Sequence, residues 1–286
     1  MFKKYFLKWF FLFALFYFQN TFAQEIEFFG EAKQGGVIIC KCKDALSATL
    51  NNTKLQIDKN GIFLFGFDRD AKGNYKLTVH LKNKKTKTFN YTIEQEKFEE
   101  QRLRVSKKYV NPPKKFSNQI AHENYLMKIA RSKVGKVKHA LFMSGFAYPV
   151  DSIDIRATFG LQRILNGKPS NVHNGLDFAG EEGDSIRAIT DGIVRIAGNN
   201  FFYNGNFVLL DHGHGLTSVY LHMSKIITKE NKEVKKGEVI GLVGSTGRAT
   251  GPHLHLGVQW YKKRIDPMRV LNINFDSPVS IDLFQQ

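Results

Sequence analysis

Short runs of apolar or alternating residues, each closed by Asn, Asp or Gly, recur along this 286-residue chain and leave little room for long helices. In the first half they cover residues 36–42, 54–57, 61–67, 75–81 and 86–93, with turn signals such as Asp58-Lys59-Asn60-Gly61 and Ala71-Lys72-Gly73-Asn74 between them. A side-chain period of two, broken about every ten residues, predicts a small β-sandwich-like domain over residues 24–96. From Gly145 onward the pattern returns at residues 185–197, 206–211, 217–222, 239–243 and 253–260, which predicts a second β-sheet domain over residues 144–286. Between the two, residues 97–143 hold the breaker Asn111-Pro112-Pro113 and then a helical pattern opening at Ser117 or Asn118, with Ile120, Met127, Ala130 and Val134 on one face. The expected fold is therefore mainly β, with a basic linker and one amphipathic helix joining two β domains.

The charge is unevenly placed. The chain carries a formal net charge of +16, of which +3 falls in residues 1–23, +9 in residues 97–143 and only +1 in residues 144–286. Residues 1–23 combine Lys3, Lys4 and Lys8 with an apolar run from Trp9 to Phe18 and end on Ala23, the pattern of a cleaved signal peptide. The run is too short to span a bilayer comfortably, which takes about 20 residues, and an uncleaved amphipathic or membrane anchor is the alternative reading. Cleavage there predicts an exported protein, periplasmic or bound to the cell envelope, with no transmembrane helix left in the mature chain. Export removes nucleic acid as the partner of the positive charge and leaves residues 97–143 as a region that holds the protein near anionic envelope surfaces.

Cys40 and Cys42, two apart on a predicted strand, point to one face and read as core residues, since two neighbouring thiols make neither a four-ligand zinc site nor an unstrained disulfide. His80 reads as a surface residue. Chemistry is concentrated later: six of the nine His lie between His173 and His255. His173 and Asp177 form an H-x-x-x-D, whose even spacing puts both side chains on one face of an extended segment. His253 and His255 form an H-x-H on a predicted strand, and His222 closes the run Tyr220-Leu221-His222. Three protein ligands with one open position are what a catalytic zinc requires, and two His with one carboxylate supply that set.

Five segments together resemble the lysostaphin/LytM-type zinc metallopeptidases: Thr158-Phe159-Gly160, Val172-His173-Asn174-Gly175-Leu176-Asp177, Asp211-His212-Gly213-His214-Gly215, Tyr220-Leu221-His222, and Gly247-Arg248-Ala249-Thr250-Gly251-Pro252-His253-Leu254-His255. The likeness covers roughly residues 145–270, and the upstream β domain is similar to that of an exported subgroup with less specific motifs. Residue by residue, the resemblance implies Zn²⁺ held by His173, Asp177 and His255, with His222 and His253 as the catalytic imidazoles. It further implies a LytM-type β-sheet peptidase domain and hydrolysis of peptide bonds in peptidoglycan stem peptides or cross-links.

His212 and His214 read as loop residues, Asp211, Asn206 and Tyr203 as groove-ordering residues, and Arg163 and Asn166 as substrate contacts. The alternative function is a non-catalytic LytM-type activator of another cell-wall hydrolase, against which all five metal and catalytic positions stand. A lipoyl or biotinyl carrier is disfavoured because the modifiable Lys in its Met-Lys-Met setting is missing.

Overall fold

The computed structural model describes residues 26–279, so the expected signal segment, residues 1–23, lies outside the described residues. The N-terminal strands are β1 (Glu27–Gly30), β2 (Val37–Lys41), β3 (Ala45–Leu50), β4 (Thr53–Lys54), β5 (Ile62–Gly66), β6 (Gly73–Leu81) and β7 (Thr86–Ile93). They form two antiparallel sheets, ordered β1-β2-β5 and β4-β3-β6-β7. The continuous apolar runs of β2 and β5 are covered on both faces, whereas β6 and β7 alternate and bury one face only. The two sheets meet through aromatic rings: Phe65 stacks on Tyr91 at 6.1 Å, and Phe67 meets Tyr75 edge-on at 4.8 Å. Cys40 and Cys42 are buried in this core.

Two expectations change here. The predicted strand at residues 54–57 shrinks to β4, and its hairpin partner β3 is a strand that the sequence pattern hid, because Ala-Leu-Ser-Ala-Thr-Leu carries small residues and an exposed Leu46. The predicted run at residues 185–197 is two strands in different sheets, separated by a turn.

The connecting segment contains β8 (Glu100–Leu103), the short α1 (Lys107–Val110) and α2 (Ser117–Ser132). Neither Ser117 nor Asn118 caps α2; a turn of 3-10 helix at Lys114–Phe116 runs directly into it. The helix is anchored instead by buried Glu123, which accepts from Gln119 and from the Phe202 amide at 2.9 Å.

The C-terminal strands are β9 (Ile155–Ala157), β10 (Gln162–Leu165), β11 (Lys168–Pro169), β12 (Leu176–Ala179), β13 (Ser185–Arg187), β14 (Gly192–Phe201), β15 (Gly205–Asp211), β16 (Leu216–Met223), β17 (Lys225–Ile226), β18 (Glu233–Val234), β19 (Val239–Leu242), β20 (His253–Trp260) and β21 (Lys263–Ile265), followed by α3 (Pro267–Leu271). Eight of them form one antiparallel sheet, ordered β18-β14-β15-β16-β20-β12-β9 with β21 on β20. Strand β8 leaves the connecting segment to pair in parallel with β10, so residues 97–143 contribute a strand beside the C-terminal sheet and are more than a linker.

Register decides what shares a face. Asp177 pairs with His255, His255 with Leu221, Gly257 with Val219 and Gln259 with Thr217. Cross-strand partners point to the same side, so Asp177 and His255 lie on the face that carries Val219 and Leu221. Helix α2 covers that face through Leu126, Met127 and Ala130, packed against Ile196, Phe207, Leu209, Val219 and Leu221. Of the predicted helix face, Met127 and Ala130 take this role, while Ile120 and Val134 sit outside that cluster.

The β15–β16 turn buries His212 completely; its Nδ1–H donates to the Asp191 carbonyl at 2.8 Å, and its Nε2 lies 2.7 Å from the Ser218 hydroxyl. Burial pushes the His212 pKa down to about 4, below the ordinary 6.5. The unfolded chain therefore binds a proton that the folded chain refuses, and this stabilising contribution, whole above pH 6.5, is lost as pH falls toward 4. Replacing His212 by Gln should reduce the fall in melting temperature between pH 6.5 and pH 4, measured by circular dichroism against the parent protein.

Candidate metal centre

His173 comes from the loop before β12, not from a strand face, so the four-residue spacing works by a bend and not by extended alternation. Gly175 makes the bend possible: a Cβ there would lie 2.4 Å from the Leu256 carbonyl oxygen and 2.6 Å from the His255 ring. Asp177 projects from β12 directly opposite His255 on β20. His173, Asp177 and His255 each bring one ligand atom, and these atoms lie within 4.8 Å of one another.

The hydrogen-bond inventory shows what the cluster can hold. His173 Nδ1 is 2.7 Å from the Thr158 carbonyl, which only accepts, so Nδ1 carries the hydrogen and Nε2 presents a lone pair. That lone pair faces Asp177 Oδ1 at 2.9 Å and His255 Nδ1 at 3.1 Å, while Oδ1 and His255 Nδ1 are 2.6 Å apart. A single hydrogen on His255 can satisfy one of these contacts and leaves two acceptors facing each other. A divalent cation among the three atoms satisfies all of them, and the donor set of two imidazoles and a carboxylate suits such an ion. Asp177 is nearly buried; desolvation raises its pKa, but the imidazoles of His173 and His255 beside it outweigh that and hold it well below the usual carboxylate range. Burial lowers His255 to about 4, which keeps its ring neutral and able to ligate.

Two further imidazoles line the same cleft, whose volume is about 230 Å³. His222, next to last in β16, has a φ of 67°, a left-handed conformation unusual for a residue with a side chain. Thr246 holds it there: its carbonyl accepts from His222 Nδ1 at 2.8 Å, and its amide donates to the His222 carbonyl at 3.3 Å. His253 Nδ1 donates to the Gly251 carbonyl at 2.8 Å. Each ring is thus tied back through Nδ1, with Nε2 as its lone-pair nitrogen. The His222 and His253 ring centroids are 4.9 Å apart, and those of His222 and His255 are 6.3 Å apart. Burial, reinforced by His253 and His255, lowers the His222 pKa to about 3.

The structure thus brings Asp177, His222, His253 and His255 to the lining of one cleft, with His173 buried behind them against Asp177 and His255. The other candidates fare differently. Arg163 spends its Nη2 on Asp177 Oδ2 at 2.9 Å and its Nε on Gln101 of β8 at 3.1 Å. It fixes the ligand carboxylate, leaving Oδ1 for the cluster. Asn166 makes a two-way bond with the Val105 backbone and anchors the connecting segment. Tyr203 stands at the rim, and Asn206 braces the end of β16 through the Met223 carbonyl at 3.0 Å. Asp211 is remote from the groove, buried against Arg195 at 2.8 Å. His214 donates to the Lys138 carbonyl behind the sheet. Thr246, which positions His222 through its carbonyl, is not singled out by its chemistry in the sequence, whereas Thr158, whose carbonyl positions His173, lies in the segment Thr158-Phe159-Gly160 noted above.

Residues 171–267 match Peptidase family M23. The chain is 44% identical over 110 residues to the peptidoglycan DD-endopeptidase ShyA of Vibrio cholerae, covering 38% of this chain and 25% of that one. It is 40% identical over 99 residues to the DD-carboxypeptidase/endopeptidase Mpg of Neisseria meningitidis, covering 35% and 23%. The chain thus spans about a quarter of the length of these curated relatives. The crystal structure of an M23-type protein from Pseudomonas aeruginosa is similar at 26% identity and a TM-score of 0.61, covering 84% of this chain and 95% of that one. The likeness to peptidase family M23 thus falls on residues 171–267, which hold β12 to β21 of the C-terminal sheets.

Titration of the metal-free protein with Co²⁺ should reveal one visible-absorbing site per chain. His173→Ala or Asp177→Ala should weaken binding by at least about 100-fold, in line with the loss of one of three ligands or more.

Proposed function

We propose that this protein is a zinc-dependent endopeptidase that hydrolyses peptide bonds in peptidoglycan stem peptides or cross-links, outside the cytoplasmic membrane, for cell-wall remodelling. The observation that carries the reading is the convergence of three lone-pair donors on one point, with two tethered imidazoles lining the same cleft. His173, Asp177 and His255 would hold the ion. Bound zinc supplies a Lewis acid for the scissile carbonyl and lowers the pKa of water toward about 7.

The remaining work belongs to the protein. His222 and His253, both with Nδ1 committed to a carbonyl, offer Nε2 to the cleft: one accepts the proton of the attacking water, and a protonated imidazole returns it to the leaving amine or stabilises the oxyanion. Arg163 holds Asp177 in place while charge builds during attack. The basic residues 97–143 would keep the enzyme near anionic envelope surfaces after removal of residues 1–23, and residues 24–96 would form a β domain preceding the peptidase domain.

Purified sacculi digested with the zinc-loaded protein and analysed by mass spectrometry should yield muropeptides cut at a peptide bond; unaltered sacculi would sink the reading. His222→Asn, in which Asn tolerates the left-handed backbone, and His253→Ala should keep stoichiometric zinc yet lose at least about 100-fold in rate, the ordinary worth of acid–base catalysis. Chelation of the metal should abolish cleavage, and added zinc should restore it.

A further inference from the structure

The cleft carries more positive charge than its metal-binding role uses. Arg156, Arg163 and Arg248 line it, and Asp177 is the acidic residue among its lining. Asp177 is already taken by Arg163. Arg156 is exposed and reaches the Pro252 carbonyl at 3.3 Å. Arg248 is the cleft arginine with its donors unspent: among the described residues, no carboxylate or carbonyl accepts from its guanidinium, whereas Arg163 is held by Asp177 and Gln101 and Arg156 by the Pro252 carbonyl.

The placement of Arg248 is rigid. Its amide donates to the Tyr203 carbonyl at 2.9 Å, and its guanidinium lies over the Tyr203 ring at 5.1 Å. The Tyr109 hydroxyl, from α1, donates to the carbonyl of the preceding Gly247. A Cβ on Gly247 would lie 2.3 Å from the Gly205 amide nitrogen, so the loop is packed tightly against the β14–β15 turn. Arg163 and Arg248 both line the cleft, so two guanidinium groups share it. Holding a partly desolvated cation in a fixed position, with its donors unspent and a like charge nearby, is costly in the free protein. An anion entering the cleft repays that cost, and the planar fork of a guanidinium is matched to a carboxylate.

We propose that Arg248 is a specificity-determining residue that binds a carboxylate of the substrate lying beside the scissile amide. The inference rests on the endopeptidase reading of the same cleft. Cross-links whose scissile bond is flanked by a free carboxylate are then preferred over uncharged bridges, and amidation of that carboxylate on the substrate lowers turnover. Arg248 touches neither the proton in transit nor the metal ligands; it sets which peptide is held in register with them.

The test uses the mature zinc-loaded chain and two synthetic cross-linked peptides that differ only in a carboxylate or a carboxamide next to the scissile bond. The parent protein should prefer the carboxylate by about 10- to 100-fold in kcat/KM, the worth of a charge-assisted hydrogen-bonded pair. Arg248→Gln should remove most of that preference through KM, and Arg248→Lys should keep part of it, with zinc content and circular dichroism unchanged. Equal turnover of both peptides by the parent, or full selectivity in Arg248→Gln, would overturn the assignment. If neither peptide is cut, calorimetric titration with the corresponding uncleavable acid and amide decides it: an Arg248-dependent preference for the acid supports the carboxylate site even as the endopeptidase reading fails, and equal binding rejects it.

Discussion

The antiparallel register of β20 against β12 on one side and β16 on the other is the constraint on which the site depends. It sets Asp177 across from His255 and His255 across from Leu221. A one-residue slip in either pairing would turn the ligand to the opposite face. That register is secured by the buried Leu254, Leu256 and Val258 on the other face, and by β21, which extends the far end of β20. The grouping of the three donor atoms is therefore a by-product of core packing, and short side chains suffice for them to meet.

Loops supply what strands cannot. His173 arrives on a bend that Gly175 alone can make, and His222 adopts a left-handed backbone that Thr246 clamps from the neighbouring loop. Both histidines are oriented by a backbone carbonyl accepting from Nδ1, which fixes the nitrogen that faces the cleft without using a second acidic residue. An acid in either place would raise the basicity of the ring and add charge to a site that already buries one carboxylate.

The connecting segment is tied into this construction. Strand β8 pairs with β10, Gln101 supports Arg163, and Arg163 holds Asp177. The first part of the chain is joined to the same body through the bond from the Asp266 amide to the Gly35 carbonyl at 2.8 Å and that from the Arg264 amide to Asp68 at 2.9 Å. Helix α2 closes one face of the sheet, so much of the positive charge in residues 97–143 is displayed around a packed element and not along a free linker.

Mainly β architecture was legible in the linear order of residues because strand alternation is a local property, and the H-x-x-x-D and H-x-H spacings singled out the side chains that the fold groups, although His173 joins His255 by a bend and from 82 residues away. The sequence also pointed to Arg163, Asn166 and Asp211 as groove residues, and there it could not decide. A guanidinium, an amide and a carboxylate look alike in sequence whether they meet substrate or one another. Only the folded chain, by bringing Gln101 and Asp177 to Arg163, Val105 to Asn166 and Arg195 to Asp211, spent those groups internally and left the Arg248 guanidinium, stacked on Tyr203, without a carboxylate or carbonyl acceptor among the described residues. The physical reason is that polar partners are assigned by proximity across the fold, at separations of 14 to 62 residues for these contacts, and nothing in a local pattern encodes them.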